Sequence, residues 1–254
     1  MNTNPFYRKF GFELEFSTYM NAVQEMVKKI IPKIYGRNKL VPDAASWECN
    51  KKYNKWELKS DGSTECELTT PISTIKDFKK IEQVLIELKE RNISVTRKDS
   101  VHVHMQANKI SKHQLIAAWL QIENIIIKCF PRHRRNNTYC QKLIHWRKYK
   151  KLSDFFIKAE DEAKDHHSIF SLCYYDDRKT VEFRVMEGNI NIQDIKPWVK
   201  FCMLFLNYAK TIDPIEIICK KKNRINNIKE LIELLKIYDE EIIEFLKRRK
   251  KKWK

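Results

Sequence analysis

The chain has 254 residues, 43% hydrophobic and 33% charged, the balance of a globular protein with a heavily charged surface rather than a disordered one. The 50 Lys and Arg outnumber the 33 Asp and Glu and leave a formal charge of +17, a far field that attracts nucleotides, nucleic acid, acidic polymers or anionic membrane surfaces. No stretch approaches the ~18 uncharged residues needed to cross a bilayer. The opening MNTNPFYRKFGFELEF lacks the apolar core of a signal peptide, and the seven scattered cysteines form no CxxC pair, so reduced thiols in a cytoplasm are expected.

In chain order, strands are expected at residues 9–16, 56–59, 66–69, 101–106, 169–175 and 180–186, where apolar and polar residues alternate. Helices are expected at 75–91, where Phe78, Ile81, Val84, Leu85 and Leu88 recur at three- and four-residue steps, and at 111–129, 192–209 and 228–246. Ser111 is placed as the N-cap of the second. Short turns at Asp61-Gly62 and Asp176-Asp177 favour antiparallel pairing. The expected class is α+β, a mainly antiparallel sheet with helices packed on one side. A composition shift after about Asp213 divides a catalytic domain, residues 1–212, from a basic C-terminal helical extension, 213–254. The extension's apolar stripe, Leu231, Leu234, Leu235, Tyr238 and Ile242, is expected to cover core, and its basic runs read as solvated faces.

None of the four glycines lies in GxGxxG or GxxxxGK[ST], so neither common glycine phosphate loop is present. The chemistry is carried instead by residues two apart on strands, which share a face. Glu13 and Glu15, Glu65 and Glu67, His102 and His104, and Glu182 and Arg184 all follow this pattern. A wet sheet face also reads polar at every second position. In a chain with 50 Lys and Arg, however, such a face would carry lysines, whereas these positions hold Glu, His and one Arg. Clustered carboxylates with imidazole are donors suited to Mg²⁺ or Mn²⁺, and five Glu against one Arg favour two or three ions clamping a polyphosphate. Arg132, Arg134 and Arg135 form a separate basic cluster able to meet ATP or an acidic substrate, or simply a solvated loop. His113, His145, His166 and His167 read as surface residues.

Six ordered segments carry a resemblance: FGFELEF at 10–16, WELKSDGS at 56–63, ECELTTP at 65–71, HVHM at 102–105, RRNNTYC at 134–140 and TVEFR at 180–184. In this order they resemble the amidoligase family over roughly residues 8–208. The resemblance implies a catalytic fold similar to glutamine synthetase and glutamate-cysteine ligase. It also implies Mg²⁺ ligation by Glu13, Glu15, Glu67, His102 and Glu182, and a nucleotide phosphate contact from Arg184, with Asp61 and His104 close by. The activity implied is ATP-dependent ligation. The γ-phosphoryl group passes to a carboxylate, and an amine attacks the acyl phosphate to form an amide, with Glu13, Glu182, Arg184 and Asp61 in the catalytic set. The substrates are a carboxylate and an amine, each an amino acid, peptide or polymer. Two other readings stay open: nucleic-acid binding through Arg132–Arg135 and the tail RRKKKWK, and a metal-dependent nuclease or phosphohydrolase.

Overall fold

Phe10, Phe12, Leu14 and Phe16 bury one face of β1 (Phe10–Phe16), because alternation sends every second side chain the same way. The computed structural model describes residues 5–36, 39–41, 54–61, 64–135, 137–143, 151–219 and 225–253, the side chains of Val41 and Asp61 excepted. These fall into two units. The N-terminal unit is Tyr7–Val103 with Met186–Lys196, and the C-terminal unit joins Met1–Phe6, His104–Val185 and Pro197–Lys254.

In the N-terminal unit β1 is followed by α1 (Met20–Tyr35), β2 (Leu40–Val41), β3 (Trp56–Asp61), β4 (Thr64–Thr69), α2 (Phe78–Glu90) and the start of β5 (Ser100–Gln106). Its strand order is β2-β3-β4-β1-β5, antiparallel at β3–β4 and β4–β1, with a short parallel pair at β2–β3. The α2 stripe is the expected one: Phe78, Ile81, Val84, Leu85 and Leu88 are all buried, each contributing about 1.5–3 kcal/mol on full burial. A 3₁₀ turn at Ile75–Asp77 precedes it, closed by a capping box in which Thr74 N donates to Asp77 Oδ2 at 2.7 Å.

The C-terminal unit holds α3 (Lys112–Ile126), α4 (Arg132–Arg135), α5 (Leu152–Lys164), β6 (Phe170–Ser171), α6 (Tyr175–Arg178), β7 (Thr180–Glu187), most of α7 (Ile192–Ala209), α8 (Pro214–Cys219), α9 (Ile228–Leu235) and α10 (Glu240–Lys252). Its strand order is β5-β7-β6. Trp119 of α3 lies at the centre, its ring 4.9 Å from Phe170, 5.8 Å from Phe183 and 5.7 Å from Phe205. Ser111 caps α3 as expected, accepting from Gln114 N at 3.1 Å.

Several sequence expectations are corrected. Helices α1 and α5 were not expected. The first has Pro32 near its end and no side-chain N-cap bond, and the second buries only two Phe and two Ala, a faint stripe. The strand expected at 169–175 shrinks to two residues, and the Asp176-Asp177 turn is the short helix α6, ended by Lys179 at φ 52°. The helix expected at 228–246 is two helices, broken where Lys236 adopts φ 49° and Asp239 caps the next, accepting from Ile242 N at 3.3 Å. Leu231, Leu235 and Ile242 are buried, Leu234 is half-buried and Tyr238 is exposed. The tail is not wholly solvated either. Arg249 is 1% exposed and donates from Nε to Cys129 O at 3.1 Å, with its guanidinium 5.0 Å from the Phe130 ring centre. The run at 220–222 lies outside the described residues.

Candidate functional site

Strand register builds the first cluster, in the N-terminal unit. Glu15 is opposite Glu67, and Glu67 is opposite Lys59; one step along, Glu13 is opposite Thr69, and Thr69 is opposite Glu57. Directly opposed side chains lie within about 5 Å at Cβ, so like charges there repel. The ammonium of Lys59 relieves part of this, 2.8 Å from Glu67 Oε1 and 4.0 Å from Glu13 Oε1. Thr69 Oγ1 donates to Glu67 Oε1 at 3.0 Å. From β5, His102 reaches both glutamates of β1: Nδ1 is 3.3 Å from Glu13 Oε2, and Nε2 is 3.6 Å from Glu15 Oε1. Ser100 Oγ lies 2.6 Å from His102 Nε2 and donates to Glu15 Oε2.

Glu15, Glu57, Glu67 and His102 are all buried. Burial, with Glu13 beside it, pushes the Glu67 carboxyl up to about 8 against the opposing pull of Lys59. A divalent ion binding here would have to displace that proton, which couples affinity to pH. The start of β5 is held by Asp99, whose carboxylate accepts from Ser17 Oγ at 2.9 Å and from Thr96 N at 2.5 Å. Its carbonyl accepts from Gly188 N at 2.8 Å, and a Cβ on Gly188 would stand 2.8 Å from Asp99 Cβ, so this crossing requires glycine.

The second cluster, in the C-terminal unit, is built on β7. Glu182 is buried, and its Oε1 lies 2.5 Å from Arg184 Nη1 and 3.9 Å from His104 Nε2. The His104 ring is 5.7 Å from that of Tyr174, and the Arg178 guanidinium lies over the Tyr174 ring, 4.8 Å from its centre.

The structure therefore brings together Glu13, Glu15, Glu67 and His102 in one unit, and His104, Glu182 and Arg184 in the other. Glu65 is exposed, and the side chain of Asp61 lies outside the described residues, as does His145. Of the arginine cluster, Arg132 is exposed, Arg134 is buried and donates to Arg184 O at 2.5 Å, and Arg135 donates to Phe130 O at 2.8 Å and to Trp253 O. His113 stacks on Phe156 at 4.2 Å and pairs with Glu160 at 2.9 Å. Sequence reasoning missed Lys59, Glu57 and Ser100. Lys59 and Glu57 alternate with Trp56 and Leu58 as clearly as the glutamates of β1 do with their neighbours, and that alternation was the available signal.

Residues 7–206 match the model of a family described as putative amidoligase enzyme. No curated protein matches the chain. No helix among the described residues is long and apolar enough to cross a membrane.

Proposed function

Because the chain belongs to the amidoligase family, we propose that it is an ATP-dependent carboxylate–amine ligase with a glutamine synthetase-like catalytic fold. The observation that carries the metal side of this reading is the cluster of half-buried Glu13 with buried Glu15 and Glu67 around Lys59 and His102. Its donors are carboxylate oxygens with one imidazole, which fits Mg²⁺ or Mn²⁺. The Lys59 ammonium already takes a cation's place between Glu67 and Glu13. Glu13, Glu15, Glu67 and His102 would hold metal within the N-terminal unit, and Glu182 is proposed as a ligand within its own, for two or three ions in all. When bound, these ions would neutralise phosphate charge during transfer.

The chain's own residues do the rest. Arg184 offers a guanidinium to the nucleotide phosphates, and Glu182, 2.5 Å away, sets its direction. His104 flanks the same carboxylate. The γ-phosphoryl group passes from ATP to a substrate carboxylate oxygen, releasing ADP. The amine nitrogen then attacks the acyl carbon, phosphate leaves with the C–O bonding pair, and the nitrogen gives up a proton. Asp61 is a candidate acceptor for that proton. Arg132, exposed two residues before the buried Arg134, is available to an acidic substrate.

The test is ADP release with Mg²⁺ or Mn²⁺, screened over amino acids, polyamines and peptides and followed by mass analysis of the products. A product whose mass equals that of the carboxylic acid plus the amine less one water is expected. Phosphodiester cleavage without ATP would replace the ligase with a nuclease.

A further inference from the structure

The family-like segment RRNNTYC has no role in the mechanism above, yet its two ends meet at one atom. In a regular antiparallel pair, every second pair of opposed residues exchanges two hydrogen bonds, and the bond from Arg184 N marks Ile169–Arg184 as such a pair. The β6–β7 register, Phe170↔Phe183 and Ser171↔Glu182, continues to Ile169 opposite Arg184. Only half of that exchange is present: Arg184 N donates to Ile169 O at 3.0 Å, but Ile169 N turns away and donates to Gln141 O at 2.8 Å. The Arg184 carbonyl is met instead by Arg134 Nη2 at 2.5 Å and Cys140 Sγ at 3.6 Å. Arg134 is 3% exposed, and Cys140 is fully buried. Burial pushes the Cys140 thiol up to about 11, so it keeps the proton it donates.

The segment between these two donors is itself braced. Asn137 Nδ2 donates to His133 O at 2.5 Å, Asn137 Oδ1 accepts from Tyr139 N at 2.8 Å, and Cys140 N donates to Asn137 O at 3.2 Å. Gln141 N then donates to His167 O at 2.7 Å, tying the segment to the residues just before β6.

We propose that Arg134 and Cys140 are positioning residues, a side-chain clamp that replaces the missing ladder bond on Arg184 and so fixes where its guanidinium points. The inference rests on the assignment of Arg184 to the nucleotide phosphates. It gives Arg134 a task different from phosphate binding: a guanidinium bonded to a buried carbonyl acts on the nucleotide through Arg184.

The experiment uses the full chain. Binding of a non-hydrolysable ATP analogue with Mg²⁺ is measured by calorimetry for the unsubstituted protein, Arg134→Gln, Arg184→Ala and the double variant, with hydrogen exchange followed at residues 180–187. Arg134→Gln is expected to weaken binding by about ten-fold to a hundred-fold, as loss of an orienting partner does. In the Arg184→Ala background it is expected to add nothing, because its effect passes through Arg184. Exchange at 180–187 rises in Arg134→Gln. Independent, multiplying losses would overturn the clamp, since Arg134 would then touch the nucleotide itself. If Arg134→Gln does not fold, Cys140→Ala carries the test: a smaller loss that is absent in the Arg184→Ala background and rescued by Cys140→Ser. A protein that binds no nucleotide removes the ligase reading instead. The clamp then stands or falls on the exchange alone, with unchanged exchange at 180–187 sinking it.

Discussion

Glu13, Glu15 and Glu67 bring three carboxylates together from two strands, whereas Glu182 and Arg184 bring opposite charges together on one. The first cluster depends on Lys59, supplied by a third strand, and on His102 from a fourth. The second is locally paired before anything binds. The contrast separates two ways of handling charge out of water. One keeps unspent negative charge that favours an incoming cation, and the other spends its charge on aiming a guanidinium.

The comparison breaks most visibly in turnover. Glu13→Ala, in the first cluster, and Glu182→Ala, in the second, are each expected to lower substrate-dependent ADP release by about a hundred-fold or more, with unchanged circular dichroism. Retained turnover in either would remove that cluster from the chemistry. Next in size is Lys59→Met, which leaves Glu67 buried without its ammonium. The expected loss is ~2–4 kcal/mol in metal-free protein above about pH 8, where Glu67 is ionised, and smaller below it, and it stays under the cost for a fully buried pair because Lys59 is 24% exposed. Mg²⁺ should then raise the melting temperature more in this variant than in the parent, and an equal rise would show that Lys59 and the metal do not share the cluster's charge.

Gly188→Ala probes the support of β5. The added methyl would meet Asp99 Cβ at 2.8 Å, at a cost of about 1–3 kcal/mol, read as a lower denaturant midpoint. The smallest effect is Glu67→Gln. The folded-state value of Glu67, about 8, lies above its ordinary 4.5, so the folded protein holds this proton more tightly than the unfolded chain. That contribution is complete below about pH 4.5 and is lost as pH rises through about 8. Glu67→Gln should flatten this decline in metal-free protein, with a gain of a few degrees at alkaline pH, at roughly 2–4 °C per kcal/mol for a chain of this size. A decline of the same slope in the variant would place the titration elsewhere.

Much of this was readable in advance because strand alternation is local. Period two placed Glu13 with Glu15 and Glu182 with Arg184, and a clean three-four stripe identified α2. What escaped depended on partners distant in sequence. Lys59 looks like any solvated lysine until register sets it opposite Glu67. Arg134 looks like a phosphate ligand until a backbone carbonyl 50 residues away takes its donor. Helix α5 buries alanines that carry little hydrophobic signal. The break between α9 and α10 hangs on Lys236 in a left-handed conformation, a choice that the residue type does not announce.

The division of the chain also bears on how the protein is made. The N-terminal unit is not contiguous: residues 7–103 are completed by Met186–Lys196, and it is Gly188 that secures Asp99 at the start of β5. On the ribosome, residues 7–103 emerge well before that closing segment, so Asp99 at the start of β5 must wait for more than eighty further residues of synthesis before Gly188 arrives. Pairings this distant in sequence form slowly and leave intermediates open to wrong association. Slowing translation after Lys196 should therefore raise the yield of native protein, while slowing it just after Val103 should not.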